Sequence, residues 1–455
     1  MQSQFDTICA ISTPPGIGGI AVIRISGPQS FRVLDDIYSG DVVKQAHSTL
    51  SYGYIQDQGE DIDEVLVSKF QAPRSFTGED VVEISCHGSS YVQRAILSTL
   101  QAHGCRMAAH GEFTQRAFLN KKMDLSQAEA VGDLIASESK AAHRLALNQM
   151  KGGFKEEIGS MRNRLIEFAS LMELELDFSE EDVEFANRDQ LKTLLSELDN
   201  RCDRLVKSFR LGNVIKEGIP VTILGAPNSG KSTLLNSLLQ EERAIVSDIA
   251  GTTRDAIEAR YRAGGFLFRF IDTAGIRETE DVIEAQGVDI AFKKASEARI
   301  ILFMVDASDS NADSLEEEIR LIEEKKAEDA DIIILLNKID LTENTYPQET
   351  LVNYPIIRIS ALQGAGLDEL ESRLVDSVEE GFTENLLLTN QRHYEAFVKV
   401  RECLSRIGKG LDDGLPTDLI TGDMRMALFH LGEITGEITT DDLLGSIFSK
   451  FCIGK

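Results

Sequence analysis

The sequence predicts a multidomain chain of α/β plus α class: an N-terminal α+β domain, a discontinuous helical domain, and a doubly wound, mostly parallel α/β domain inserted into the helical one. Three observations carry that expectation. The chain has 455 residues, more than one hydrophobic core usually organises. Between about 216 and 379, short β-branched runs alternate with helical stretches, as in a parallel sheet covered on both faces. On either side of that block the apolar residues recur at helical spacing.

Taken in order, residues 1–120 read as the α+β domain. Strand-like runs stand at Ile20–Ile25, Glu64–Phe70 and Asp80–Ile84, with turn-forming Pro14-Pro15-Gly16 and Gly18-Gly19 before the first. Residues 121–215 read as the first part of the helical domain. Ser126-Gln127-Ala128-Glu129 has the form of a capping box, and Ile158, Met161, Leu165, Phe168 and Met172 mark one apolar face of a long helix. Residues 216–379 hold the apolar runs Val221–Leu224, Phe268–Ile271, Ile300–Val305 and Ile332–Leu336, and residues 380–455 return to a helical pattern.

Composition excludes several classes. With 42% hydrophobic and 27% charged residues the chain resembles an ordinary soluble protein. No apolar run reaches the roughly 20 residues of a membrane helix, and Met1–Asp6 lacks the blocks of a signal peptide, so a cytoplasmic protein without membrane contact is expected. Cys9, Cys86, Cys105, Cys202, Cys403 and Cys452 show neither CxxC nor metal-ligand spacing, which argues against a disulfide framework or a zinc site. A net charge of -28 disfavours free electrostatic attachment to nucleic acid; an RNA substrate would need a local basic patch or a partner. A solvated acidic surface is the plain alternative.

The strongest motif is Gly225-Ala226-Pro227-Asn228-Ser229-Gly230-Lys231-Ser232, which fits GxxxxGK[ST] between an expected strand and helix. Its glycines let backbone N–H groups close around phosphate, Lys231 brings charge to the β and γ phosphates, and Ser232 can ligate Mg2+. Downstream, Asp272-Thr273-Ala274-Gly275 offers a carboxylate to the metal's water shell and an amide to the γ-phosphate. Asn337-Lys338-Ile339-Asp340 ends the next strand but one, and its Asp can accept from guanine N1–H and the 2-amino group, a donor pair adenine lacks. Ser360-Ala361 would support the base from the other side. The order of these motifs predicts a Ras-like P-loop domain that binds GTP rather than ATP.

In Ras-like proteins a Gln just after Asp-x-x-Gly orients the attacking water. Here Ile276 stands there. Either hydrolysis is unassisted and slow, or another residue and another charge take over. Asn228, with Ser247, Ile249 and Thr252, can offer oxygen ligands to a monovalent cation, and Glu278, Glu280, Asp281 and Glu284 are equivalent candidates to position water.

The chain resembles the MnmE (TrmE) family of tRNA uridine modification GTPases over essentially its whole length. The likeness rests on Thr13-Pro14-Pro15-Gly16-Ile17-Gly18-Gly19, Thr77–Glu83, His87-Gly88, Gly111–Asn120, Gly251-Thr252-Thr253-Arg254-Asp255, Asp272–Glu278 and Phe451-Cys452-Ile453-Gly454-Lys455. It implies an N-terminal domain that binds tetrahydrofolate and dimerises, and a homodimer whose GTPase domains meet in a potassium-dependent way. It also implies a heterotetramer with an MnmG-type FAD protein that installs an aminomethyl-type group on carbon 5 of the wobble uridine of certain tRNAs, using 5,10-methylenetetrahydrofolate; 5-formyltetrahydrofolate would be a bound analogue.

Carried over residue by residue, the resemblance puts K+ on Asn228, Ser247, Ile249 and Thr252, Mg2+ on Ser232 and Thr253, and the catalytic role on Glu284. Ser247 stands where relatives often have Thr. Nucleotide contacts extend over Asn228, Ser229, Gly230, Lys231, Ser232 and Thr233, and over Ser247, Asp248, Ile249, Ala250, Gly251, Thr252 and Thr253. Asp272, Thr273, Ala274, Gly275, Asn337, Lys338, Asp340, Ser360 and Ala361 complete them. Folate falls to Arg24, Glu83, Lys122 and Lys455, a set in which a carboxylate can read the pterin edge and cations the glutamate tail. Cys452 is a candidate functional thiol; a buried inert thiol is the ordinary alternative.

Two other readings compete. A ribosome-assembly GTPase would share the P-loop and Asn-Lys-x-Asp but leaves the 220 or so residues ahead of them without a role. A folate- and RNA-binding scaffold predicts damaged hydrolytic parts, whereas Lys231, Ser232, Asp272 and Glu284 are all present.

Overall fold

Strand alternation and helix periodicity both find their cores in the computed structural model, which describes residues 6–40, 50–177, 188–240, 244–245, 259–271, 293, 295–308, 312–342, 354–379 and 386–454. The expectations for Ser247, Asp248, Ile249, Ala250, Gly251, Thr252 and Thr253, for Asp272, Thr273, Ala274, Gly275 and Ile276, and for Glu284 and Lys455 lie outside the described residues.

The N-terminal stretch contains β1 (Ile8–Ile11), β2 (Gly18–Ser26), α1 (Ser30–Ile37), β3 (Leu50–Asp57), β4 (Glu60–Phe70), β5 (Val81–Gly88), α2 (Ser90–Ala102), β6 (Arg106–Met107) and α3 (Glu112–Leu119). Helices α4 (Leu125–Ala136), α5 (Lys140–Met150), α6 (Gly153–Asp177) and α7 (Arg188–Glu217) follow. Next come β7 (Ile219–Gly225), α8 (Lys231–Gln240), β8 (Ala244–Ile245), β9 (Ala259–Ala263), β10 (Phe266–Phe270), β11 (Ile300–Asp306), α9 (Ala312–Lys325), β12 (Asp331–Asn337), β13 (Ile356–Arg358) and α10 (Leu367–Glu379). The chain closes with α11 (Gln391–Asp412), α12 (Thr417–Thr435) and α13 (Asp441–Phe448).

Two compact units result: Met1–Gly132 with Gln149–Asp199 and Ala396–Lys455, and Asp133–Asn148 with Asn200–Glu395. In the first, a six-stranded sheet of order β3-β4-β5-β2-β1-β6 is antiparallel except where β1 runs parallel to β6. Alternate residues of β2, Ala21, Ile23 and Ile25, point into a core with Val82, Ile84, Ile96 and Leu100, so one sheet face is packed under α1 and α2. The apolar face read on α6 is buried at Ile158, Met161, Leu165 and Met172, while Phe168 is half-buried. Each fully buried Leu or Ile of this kind contributes about 1.5–3 kcal/mol.

The start of α4 corrects the expected capping box. Ser126 lies inside the helix, and the reciprocal pair is Asp124 with Gln127: the Gln127 amide donates to Asp124 Oδ1 at 2.8 Å, and the Asp124 amide donates to Gln127 Oε1 at 3.0 Å. Acid and amide at that spacing satisfy two orphan N–H groups as Ser and Glu would. Helix α12 ends on Gly436 at φ 81, where a Cβ would stand 2.7 Å from the Leu125 side chain; both backbone and packing demand glycine.

The second unit holds a seven-stranded sheet of order β13-β12-β11-β7-β10-β9-β8. Strands β13, β12, β11, β7 and β10 are mutually parallel, and β9 and β8 are added antiparallel at one edge. The continuous apolar runs are explained by two cores, one per face. Ile300, Leu302 and Met304 pack with Val221, Phe268, Leu234 and Leu370, whereas the alternate Ile301 and Phe303 pack with Leu224, Ile334 and Ile322. Among the described residues no helix is long and apolar enough to cross a membrane.

Candidate nucleotide site

Strands β7, β11 and β12 end side by side, with Met304 paired to Gly225 and Asp306 to Asn337, so their carboxyl ends form the crevice where an open α/β sheet takes its ligands. The connection from β7 to α8 is the Gly225–Ser232 loop. Gly225 at φ 141, Asn228 at φ 61 and Gly230 at φ 104 turn successive peptides so that the loop curls over the first turn of α8. This curl with a helix N-terminus makes an anion cradle. Lys231 Nζ donates to the carbonyls of Gly225 at 2.9 Å and Ala226 at 2.7 Å, which holds its charge over the loop. Ser229 is 1% exposed, and its Oγ has no hydrogen-bond partner among the described residues. An orphaned buried hydroxyl and a cationic cradle suit a phosphate chain. Ser232 is exposed and Thr233 half-buried beside it, at the first turn of α8.

Asn337, 3% exposed, ties the site together. Its Nδ2 donates to the Ser229 carbonyl at 2.8 Å, and its Oδ1 accepts from the Ala361 amide at 2.9 Å. A Cβ on Gly230 would stand 2.2 Å from that Nδ2, so the glycine is required by the close approach as well as by its φ. Lys338 takes the left-handed conformation at φ 64, and its Nζ pairs with Asp306 Oδ2 at 2.6 Å. Burial pushes the Asp306 carboxyl up, but the Lys338 ammonium and the Ser308 hydroxyl and amide outweigh it and hold the acid below its ordinary value. Asp340 is exposed, and its Oδ1 accepts from Ser360 Oγ at 2.6 Å, which aims the carboxylate while leaving acceptor capacity free. Asn228, Ser229, Gly230, Lys231, Ser232, Asn337, Lys338, Asp340, Ser360 and Ala361 are thus brought together at one end of one sheet.

Comparison with known proteins decides the family. A model of the MnmE helical domain matches residues 125–452, and one of the GTP-binding protein TrmE N-terminus matches residues 7–122. The tRNA modification GTPase MnmE of Cytophaga hutchinsonii is 51% identical over 458 residues, covering 100% of this chain and 99% of that protein. The chain belongs to the MnmE family of tRNA modification GTPases. The MnmE of Christiangramia forsetii is 50% identical over 471 residues, covering 99% of both chains. Among solved structures, an Aquifex aeolicus Era variant bound to GDP.AlF4- is 32% identical over 40% of this chain and 66% of that one, with a TM-score of 0.27. Matches that run the full length with the MnmE name leave the ribosome-assembly alternative without support.

The remaining residues expected from the MnmE resemblance lie in the first unit. Arg24 on β2 and Glu83 on β5 are cross-strand partners, paired at 2.8 Å and 19% and 28% exposed. The Arg24 guanidinium lies 5.4 Å from the Phe76 ring centre and 5.6 Å from that of Phe113, a cation flanked by aromatic faces. Lys122 Nζ donates to the Pro73 carbonyl at 2.9 Å.

The last residues described run along the same unit. The Gly454 carbonyl accepts from Ser12 Oγ at 3.1 Å, and the Phe451 carbonyl meets the His110 ring at 2.9 Å. Gly454 at φ 95 passes so close to β1 that a Cβ would stand 2.1 Å from the Ile11 carbonyl. Cys452 is exposed, which removes the buried inert thiol as an account of it.

Sequence reasoning missed the frame behind these residues. Arg116 Nη2 pairs with Asp6 at 2.6 Å and Glu112 at 3.0 Å, its Nη1 reaches Glu79 at 3.2 Å, and Arg106 pairs with Glu112 at 2.6 Å. Glu79 in turn accepts from Ser26 Oγ at 2.7 Å, so the network locks α3 and the segment before β5 around the Arg24 strand. The one local signal was the Glu112–Arg116 pair at i, i+4 on a helix.

Proposed function

We propose that this chain binds and hydrolyses GTP and, in a heterotetramer with an MnmG-type FAD protein, adds an aminomethyl or carboxymethylaminomethyl group at carbon 5 of the wobble uridine of certain tRNAs. The observation that carries the reading is the ring through Asn337, with Asp340 held by Ser360, in a chain about half identical end to end to proteins named tRNA modification GTPase MnmE.

Within that reading Lys231 draws the β and γ phosphates into the loop, the loop amides share the load, and Asp340 accepts from the guanine edge. Ser232 and Thr253 hold Mg2+, while Asn228, Ser247, Ile249 and Thr252 hold K+; both ions supply positive charge at the phosphates, which Lys231 alone cannot match. Contacts from Thr233, Asp248, Ala250, Gly251, Asp272, Thr273, Ala274 and Gly275 close the pocket, and Glu284 orients water in place of the missing Gln. GTP hydrolysis drives the GTPase domains of a homodimer together and apart. Arg24, Glu83, Lys122 and Lys455 bind the tetrahydrofolate, which supplies the one-carbon unit, and Cys452 is a candidate functional thiol.

The division is 1–120 for folate binding and dimerisation, 121–215 and 380–455 for the helical domain, and 216–379 for the GTPase domain. The protein works in the cytoplasm. Reconstitution tests the whole: purified chain, MnmG-type flavoprotein, unmodified tRNA, GTP, methylene-labelled tetrahydrofolate and, as the nitrogen donor, glycine or ammonium should transfer label to the tRNA. No label in tRNA with active flavoprotein would remove the folate and tRNA reading. GTP turnover at equal ionic strength should be faster in K+ than in Na+, and equal rates would remove the cation.

A further inference from the structure

We infer that Ser237 on α8 is a positioning residue for the guanine base, setting the span between the phosphate cradle and the Asp340 carboxylate. This rests on the guanine-nucleotide reading of the site. Ser237 follows the buried Leu234 and Leu235 and precedes the buried Leu238 on α8, the helix that opens at the Gly225–Ser232 loop. A serine in a helix interior often turns its hydroxyl back onto the carbonyl four residues earlier. Ser237 does not: its Oγ donates to the Ala361 carbonyl at 2.6 Å, 124 positions along the chain.

Ala361 is 1% exposed, and both its backbone polar groups are fixed from different elements, the carbonyl by Ser237 and the amide by Asn337 Oδ1 at 2.9 Å. The turn it belongs to is stiff. The Ser360 amide donates to the Ala365 carbonyl at 2.9 Å, the Gly364 amide to the Ser360 carbonyl at 2.8 Å, and Gly366 at φ 78 leaves no room for a Cβ, which would stand 2.2 Å from the Arg358 carbonyl. Fixing Ala361 therefore fixes Ser360, and Ser360 Oγ holds Asp340 at 2.6 Å. The chain of contacts runs from α8 through Ser237, Ala361 and Ser360 to the group that reads the base.

A ligand that reaches both ends of that span feels its length, and one that touches only the phosphate end does not. The test is binding of GDP, ADP and inorganic pyrophosphate to the full chain, by calorimetry, for the unmodified protein, Ser237→Ala and Ser237→Thr. The unmodified chain should prefer GDP to ADP. Ser237→Ala should raise the GDP Kd about five- to tenfold, the effect of one lost hydrogen bond, with the pyrophosphate Kd unchanged. Ser237→Thr, which keeps the hydroxyl, should recover GDP binding. An unchanged GDP Kd in Ser237→Ala, or GDP and pyrophosphate weakening together, would overturn the positioning role while leaving the site intact. An unmodified chain that prefers ADP, or binds no GDP, would overturn the guanine reading and this inference with it.

Discussion

At the scale of single residues, the proposed selectivity of the site for guanine comes down to the acceptors of one carboxylate. Asp340 keeps acceptor capacity free beside its bond from Ser360, and guanine presents two adjacent donors to it. Asp340→Asn should weaken GTP about 100-fold, since hydrogen bonds to a charged group count for about 1.5–3 kcal/mol. The same change should favour xanthosine triphosphate, whose 2-position carries an oxygen; competition between the two nucleotides reads the switch. Glu112 makes a second, pH-dependent statement. Burial pushes its carboxyl up, yet hydrogen bonds from Arg106, the Ala109 amide and Arg116 outweigh that and leave it below its ordinary value. A folded value below the unfolded one means stabilisation that is complete above about pH 4.3 and lost as pH falls through the lowered value. Glu112→Gln should therefore flatten the acid limb of a urea-midpoint profile for the full chain; a limb as steep as that of the unmodified protein would refute this role.

At the scale of elements, the phosphate loop tolerates no added atom at Gly230. Gly230→Ala puts a Cβ 2.2 Å from Asn337 Nδ2 at φ 104, so it strains the loop and pushes aside the amide that binds Ser229 and Ala361. Nucleotide affinity should fall more than about 100-fold while the helical elements keep their circular dichroism; calorimetric binding close to that of the unmodified chain would contradict the account.

What was legible in the sequence follows from locality. Strands β11 and β12 announce themselves because both faces are buried and the runs are unbroken. The motif residues are legible because each motif is contiguous at a strand end. Strand β9, Ala-Arg-Tyr-Arg-Ala, is half polar and lies near the sheet edge, so it carries no apolar run. The Asp6–Arg116 bond joins residues 110 positions apart, and Ser237 is one hydroxyl on an apolar helix whose meaning depends on Ala361; no local pattern shows either.

At the scale of the whole molecule, a chain of net charge -28 in a family of tRNA modification GTPases needs a local basic surface or a partner to hold the RNA, and the proposed flavoprotein would be such a partner. The central claim is that nucleotide chemistry at Lys231 and base chemistry on tRNA belong to one function. Mass spectrometry of tRNA nucleosides from cells that lack this chain, with and without a Lys231→Ala copy restored, tests it most directly. The account predicts loss of the C5-modified wobble uridine, rescue by the unmodified chain, and no rescue by Lys231→Ala. Unchanged wobble uridines in cells without the chain would contradict it.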